Sequence, residues 1–313
     1  MSQQGFPPPR LRIGTRGSPL ALFQAHLVRD RLAAAHRGLP AAAMEIVEIR
    51  TSGDRIQDRS LADAGGKGLF TKEIEEALYA GNIDLAVHSM KDMPTALPPG
   101  LVIPCLLERE DPRDAFLSLR WPSVAALPKG TVVGTSSLRR KAQLLHRRPD
   151  LSIIDFRGNV NTRLRKLEDG VAAATLLALA GLRRLGMADR VTAVLEVDEL
   201  LPAVAQGAIG VECRADDDVA HRLLAPLADA PTTHCVDAER SLLAVLDGSC
   251  RTPIAALART QGDDLVLTAL IISPDGQTLH RTERRGPARD ALRLGRDAGE
   301  ELRRRGGPHF FHA

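Results

Sequence analysis

Aromatic side chains make up only 3% of the 313 residues, which leaves few flat faces on which single-stranded nucleic acid could stack. Charge of one sign is also lacking. Forty-two basic residues face 39 acidic ones, for a formal net charge of +3, so no global basic field points to nucleic acid. Any anion must be held by local clustering. The four cysteines, Cys105, Cys213, Cys235 and Cys250, are scattered, with no CxxC pair and no histidine cluster at metal spacing. This argues against a disulfide framework and against structural zinc, and no metal is expected. Met1 to Arg10 is polar and proline-rich, without the apolar core of a secretory signal. No uninterrupted apolar run is long enough to span a bilayer, so a cytoplasmic protein without a membrane partner is expected.

What is present is a chain too long for one ordinary core, with a 44% hydrophobic share that suits a folded protein of two or three domains. The most informative stretch is Val87-His88-Ser89-Met90-Lys91-Asp92-Met93-Pro94. The aliphatic run Ile83 to Val87 reads as a buried strand, and Pro94 with Pro98-Pro99 forces it into a rigid loop. Ligands of α/β domains usually sit at such carboxyl strand ends. Asp92, next to Lys91 and close to His88, is therefore a carboxylate with cationic neighbours at a candidate site.

Leu11 to Gly14 reads as a first strand, and Ser18-Pro19 caps and opens a helix whose Leu20, Phe23 and Leu27 share one face. Met44 to Ile49 is a second strand, and Phe70, Ile74, Ala77 and Leu78 give another helix. The resulting β-α-β-α-β order predicts a mostly parallel sheet. Glu108 to Arg113 reads as a linker, after which the pattern restarts. Strands at Thr131–Gly134 and Leu151–Ile154, a helix carrying Leu138, Ala142 and Leu145, and another with Val160, Leu164 and Leu167 form a second α/β unit. A helix from Thr232 to Leu246 and a hairpin turning at Pro274-Asp275-Gly276 make an α+β end. The expected division is residues 11–107 with 208–225, then 113–201, then 230–313. In fold class this is two α/β domains like those of periplasmic binding proteins, with a chain crossover, followed by a C-terminal α+β domain.

Arginines recur at the expected strand ends: Arg16, Arg139-Arg140, Arg157, Arg163 and Arg183-Arg184. Any one of them reads as an ordinary surface residue. As a set beside serines, threonines and glycines they suit a ligand with several acidic groups. Gly65-Gly66-Lys67-Gly68 lacks the spacing of a nucleotide-binding lysine loop. Cys250 lies in Gly248-Ser249-Cys250-Arg251-Thr252-Pro253, a loop in which Arg251 favours the nucleophilic thiolate. Lobes and arginines alone would serve a protein that closes on a small organic anion without catalysis. A cysteine loop in a third domain is the feature such a binder has no need of.

Four motifs in order, Val87-His88-Ser89-Met90-Lys91-Asp92, Gly134-Thr135-Ser136-Ser137-Leu138-Arg139-Arg140, Arg157-Gly158-Asn159-Val160-Asn161-Thr162-Arg163 and Gly248-Ser249-Cys250, closely resemble the porphobilinogen deaminase, or hydroxymethylbilane synthase, family. The resemblance implies a transferase of tetrapyrrole, porphyrin and heme biosynthesis that joins four porphobilinogen molecules with loss of ammonia. It also implies a dipyrromethane cofactor held by thioether at Cys250, no nucleic-acid partner and a monomer. Carried over by motif, Asp92 becomes the catalytic carboxylate. Lys91, Ser136, Ser137, Arg139, Arg140 and Arg163 would hold cofactor carboxylates. Arg16, Ser18, Arg157, Arg163, Arg184, Lys67, Phe70 and Ser89 would meet substrate, while His88 could be a hydrogen-bonded structural residue. Arg139 and Arg140, taken as surface charges, are expected to matter more for the cofactor than for stability. The chain departs from the family at Asp63, where a lysine is common, and within Val171 to Ala174, where an acidic residue is replaced.

Overall fold

The computed structural model describes residues 11–55, 70–248, 252–308 and 310–311. The chain opens with β1 (Leu11–Arg16), α1 (Pro19–Ala35), β2 (Met44–Ile49), α2 (Ser52–Arg55), α3 (Lys72–Tyr79), β3 (Leu85–Ser89) and β4 (Leu101–Leu106). It continues through β5 (Asp114–Ser118), β6 (Val132–Gly134), α4 (Leu138–Arg147), β7 (Ser152–Ile154), α5 (Val160–Glu168), β8 (Ala174–Ala178), α6 (Leu179–Arg184) and β9 (Ala193–Val194). Then come β10 (Ile209–Arg214), α7 (Asp218–Leu224), α8 (Ala230–Val245), β11 (Ile254–Gln261), β12 (Asp264–Ile272), β13 (Leu279–Pro287) and α9 (Ala291–Gly306). Two contact units result. One comprises Met1–Ser89, Leu97–Leu107 and Ile209–Asp229, and the other Met90–Ala96, Glu108–Ala208 and Ala230–Ala313.

The first unit is built on a sheet of order β2-β1-β3-β10-β4. β1 runs parallel to β2 and β3, whereas β10 lies antiparallel between β3 and β4. A purely parallel reading misses β10 because no crossover helix feeds it; it enters from a long excursion of the chain. Ser18 caps α1 by accepting from the Ala21 N–H at 3.3 Å, with Pro19 at the first turn. The buried residues of α1 are Gln24, Ala25, Val28 and Leu32; of the residues sharing a face in the sequence, Leu27 packs against this core partly buried, whereas Phe23 is 39% exposed. Helix and sheet meet through the smaller residues, in a core that includes Ile13, Leu85 and Val211.

The second unit contains a sheet of order β7-β6-β8-β5-β9, again with one strand, β5, antiparallel beside a parallel set. Its three-stranded β11-β12-β13 sheet is antiparallel throughout, so the expected hairpin is joined by a further strand starting at Ile254. Ala255, Leu257, Leu270 and Ile272 of that sheet share one buried cluster with Ala142 of α4 and Leu201. The mixed α/β architecture with an α+β end is the class the sequence predicts. Gly207 has φ +90, and a Cβ there would lie 2.3 Å from the Glu110 carbonyl oxygen, so glycine is required where the chain turns back. Among the described residues no helix is long and apolar enough to cross a membrane.

Candidate functional site

The Met90–Asp92 segment is a single 3-10 turn directly after β3 in sequence. Met90 donates its N–H to the Ala208 carbonyl at 3.1 Å, and the Met93 N–H returns to the Met90 carbonyl at 3.2 Å. Met90 and Met93 are buried, at 3% and 5% exposure, which pins both sides of the turn and leaves Asp92 facing outward. A short turn between two buried methionines is thus how an apolar strand end presents a carboxylate.

Helix α4 supplies the next layer. Ser137 caps it by accepting from the Arg140 N–H, and Arg139 and Arg140 follow in the first turn. Both arginines are only 5% exposed, and both turn to Asp114, the first residue of β5, which is fully buried. Arg139 Nη1 lies 2.8 Å from Asp114 Oδ2, and Arg140 Nη2 donates to Oδ1 at 2.6 Å. Arg139 Nη1 also donates to the Leu201 carbonyl at 2.7 Å, and Arg140 Nη1 to the Leu176 carbonyl at 3.0 Å, while Arg139 Nε is buried without a hydrogen-bond partner among the described residues. The Gln206 amide also donates to Asp114 Oδ1, at 3.1 Å. Burial would raise the Asp114 pKa, but the two guanidinium groups outweigh it and hold the carboxyl at about 2. The expectation of surface charges at Arg139 and Arg140 is therefore corrected. The helix buries its arginines because a fixed carboxylate neutralises them.

One carboxylate cannot neutralise everything nearby. Burial lowers the Lys91 pKa, and Arg140 and Arg163 push it further down against the pull of Asp92 and Asp114. Arg163 is held down to about 10, first by burial and then by repulsion from Arg140 and Arg157, with Asp92 opposing. Lys91 and Arg163 thus each feel both Arg140 and the exposed Asp92, and Arg163 feels Arg157 as well. Such repulsion is relieved by an anion with more than one acidic arm. Ser136 accepts from the Phe156 N–H at 2.9 Å. Arg184 donates to the Gly207 carbonyl at 2.6 Å, with its pKa lowered by burial.

The other expected site residues belong to the first unit. Arg16 sits over the Phe70 ring, 4.1 Å from its centroid, and Ser18 caps α1. Ser89 is hydrogen-bonded to Gln24, whose amide donates to its Oγ at 2.8 Å. His88 Nε2 lies 2.8 Å from Glu212 Oε2, both side chains being buried, so the histidine has a structural partner. Cys250, Lys67 and Asp63 lie outside the described residues. The other three cysteines are buried; burial pushes the Cys105 thiol up to about 12 and Cys213 to about 11, which keeps both protonated and inert.

Sequence reasoning missed Asp114, Glu212 and Glu239. Glu239 is fully buried on α8 and accepts from Arg109, from the Ala205 N–H at 2.6 Å and from the Ala258 N–H at 2.8 Å. A legible signal existed for Asp114, an acid opening the apolar run Asp114-Ala115-Phe116-Leu117. The pattern of α8 offered none for Glu239.

Comparison with known proteins gives two family matches. Residues 11–222 match the model described as porphobilinogen deaminase, dipyromethane cofactor binding domain, and residues 233–304 match that of the porphobilinogen deaminase C-terminal domain. A porphobilinogen deaminase of Paracoccus denitrificans (strain Pd 1222) is 60% identical over 311 residues, covering 99% of each chain. A chloroplastic porphobilinogen deaminase of Oryza sativa subsp. japonica is 57% identical, covering 96% of this chain and 85% of its own. The solved methionine binding protein MetQ is 15% identical with a TM-score of 0.44 over 69% of this chain and 89% of its own, a likeness from which nothing further follows.

Proposed function

The chain belongs to the porphobilinogen deaminase family, and on that premise we propose that it condenses four porphobilinogen molecules head to tail, with loss of ammonia, and releases hydroxymethylbilane by hydrolysis. We read it as a cytoplasmic monomer that uses a dipyrromethane primer tethered to Cys250. Beside the family match, the observation supporting this reading is that Lys91 and Arg163 lie in electrostatic reach of one another, of Arg140 and of the exposed Asp92. Each pyrrole of substrate or primer bears an acetate and a propionate, so a growing chain brings carboxylates that these cations can neutralise. The residues therefore fit the primer. When bound, it supplies the free pyrrole position on which the chain grows.

In this reading Lys91, Ser136, Ser137, Arg140 and Arg163 hold primer carboxylates, and Arg139 supports Arg140 through their shared Asp114. Arg157, Arg163 and Arg184 are read as receiving substrate carboxylates, and in the first unit Arg16, Ser18, Lys67, Phe70 and Ser89 are read as substrate-binding. Asp92 would accept from pyrrole N–H groups, assist proton transfer to the departing amine and, as a carboxylate, stabilise the positive charge that develops as ammonia leaves. Intact-mass measurement tests the reading. Active protein should be heavier than its sequence by two linked pyrroles, and Cys250→Ser should lack that increment; an unmodified mass in active wild-type protein would overturn the proposal.

A further inference from the structure

Arg240, on α8, differs from the carboxylate-bound arginines of the second unit. Arg109, Arg113, Arg139, Arg140, Arg148 and Arg183 all engage carboxylates. Among the described residues Arg240 hydrogen-bonds only backbone carbonyls, and those belong to three consecutive residues. Nη2 donates to Pro94 at 2.6 Å and to Thr95 at 3.2 Å, and Nη1 reaches Met93 at 3.5 Å. These residues follow Asp92 immediately. They form no helix or strand, and Pro94 brings no N–H of its own, so their carbonyls need an outside donor where water is scarce.

The guanidinium bears a penalty in this position. Burial lowers its pKa, and Asp237, one turn back on α8, attracts it without forming a hydrogen bond among the described residues. Helix α8 is itself fixed at the neighbouring position, because Glu239 is tied to Arg109 and to the Ala205 and Ala258 N–H groups. A rigid helix thus carries a planar fork whose donors are spent on the loop that leaves the Asp92 turn.

We propose that Arg240 is a positioning residue for the Asp92 carboxylate, gripping the Met93, Pro94 and Thr95 carbonyls so that the Met90–Asp92 turn is anchored on both sides. The upstream anchor is the Met90 N–H to Ala208 bond; Arg240 is the downstream one. Removing the grip frees the turn to shift, and a displacement of about 1 Å at a reacting group can lower a rate by about a hundredfold. This inference rests on the assignment of Asp92 as the catalytic carboxylate. Lysine has the charge but not the planar fork; its three donors radiate from one nitrogen and cannot reproduce the spread grip of Nη1 and Nη2 on three successive carbonyls.

The experiment is a double-mutant cycle on primed holoenzyme with porphobilinogen, using Arg240→Gln, Arg240→Lys, Asp92→Asn and the pairs, followed by single turnover. Arg240→Gln should lower kcat about tenfold to a hundredfold while KM changes less than about threefold, with Arg240→Lys intermediate. In the Asp92→Asn background the same substitution should add almost nothing, because there is no longer a carboxylate to position. A wild-type kcat in both Arg240 variants overturns the proposal, as does an equal, multiplicative loss in the Asp92→Asn background. Should Arg240→Gln not accumulate as folded protein, the lysine variant carries the same cycle. Normal turnover in Asp92→Asn sinks the assignment of Asp92 itself; an inactive Asp92→Asn beside normal Arg240 variants sinks only the role of Arg240.

Discussion

Arg139 and Arg140 differ from Arg157 and Arg163 in what surrounds them, although all four lie in the same unit and at loop-to-helix junctions. The first pair is buried against Asp114, with further bonds to the carbonyls of Leu176 and Leu201. Arg163 instead is pressed by Arg140 and Arg157, and its Nε donates only to the Gly158 carbonyl at 2.9 Å. The contrast teaches that a row of arginines is not one functional object. Where the protein supplies the carboxylate, as Asp114 does for Arg139 and Arg140, the arginine is tied into the scaffold whatever else it meets; Arg163, whose only described hydrogen bond is to a carbonyl, keeps its charge for a ligand's carboxylate.

The largest effect that sharpens this contrast is expected at the anion that belongs to neither pair. Asp92→Asn should cut turnover by about a thousandfold, roughly 4 kcal/mol in the barrier, while leaving the mass of the primed protein unchanged. Steady-state rates with intact mass read both. Near-normal turnover would show that Asp92 is only another exposed carboxylate.

Asp114→Asn comes next. It leaves Arg139 and Arg140 buried without their counter-charge and should destabilise the fold by about 3 kcal/mol, measured by chemical denaturation. An unchanged midpoint would dissolve the distinction between scaffold and ligand arginines. The same pair gives a pH signature. Asp114 is held at about 2 in the folded chain, below its ordinary 3.8, so its stabilisation is complete above pH 4 and fades as pH falls toward 2. The difference in stability between wild type and Asp114→Asn should therefore shrink by roughly 2 kcal/mol over that interval. A gap that stays constant on acidification would contradict the pairing.

The smallest effect on the fold is expected at Arg163→Gln. Removing a cation from a group that already repels itself should change stability by no more than about 0.5 kcal/mol, whereas the KM for porphobilinogen should rise about tenfold. A large loss of stability with an unaltered KM would place Arg163 with the scaffold instead.

Much of the fold was legible because its signals are local. Alternating strands and helices are written in apolar periodicity, the Ser18 cap in a hydroxyl before proline at a helix start, and the Met90–Asp92 turn in an apolar run ending before Pro94. The motifs that place the chain in its family are contiguous for the same reason. The antiparallel strands β10 and β5 were not legible as such, since their direction depends on where the chain arrives from rather than on what it contains. Which residues of α1 are buried was not legible either, since packing chose Gln24, Ala25, Val28 and Leu32 and left Phe23 exposed.

The sequence by itself determined which residue types stand at the strand ends, and so the chemistry on offer: one aspartate, a lysine and several guanidinium groups. Only the tertiary structure decided which of those charges answer one another. Charge pairing depends on distances of a few ångströms between residues far apart in sequence, such as Asp114 and Arg140, and spacing along the chain does not contain them.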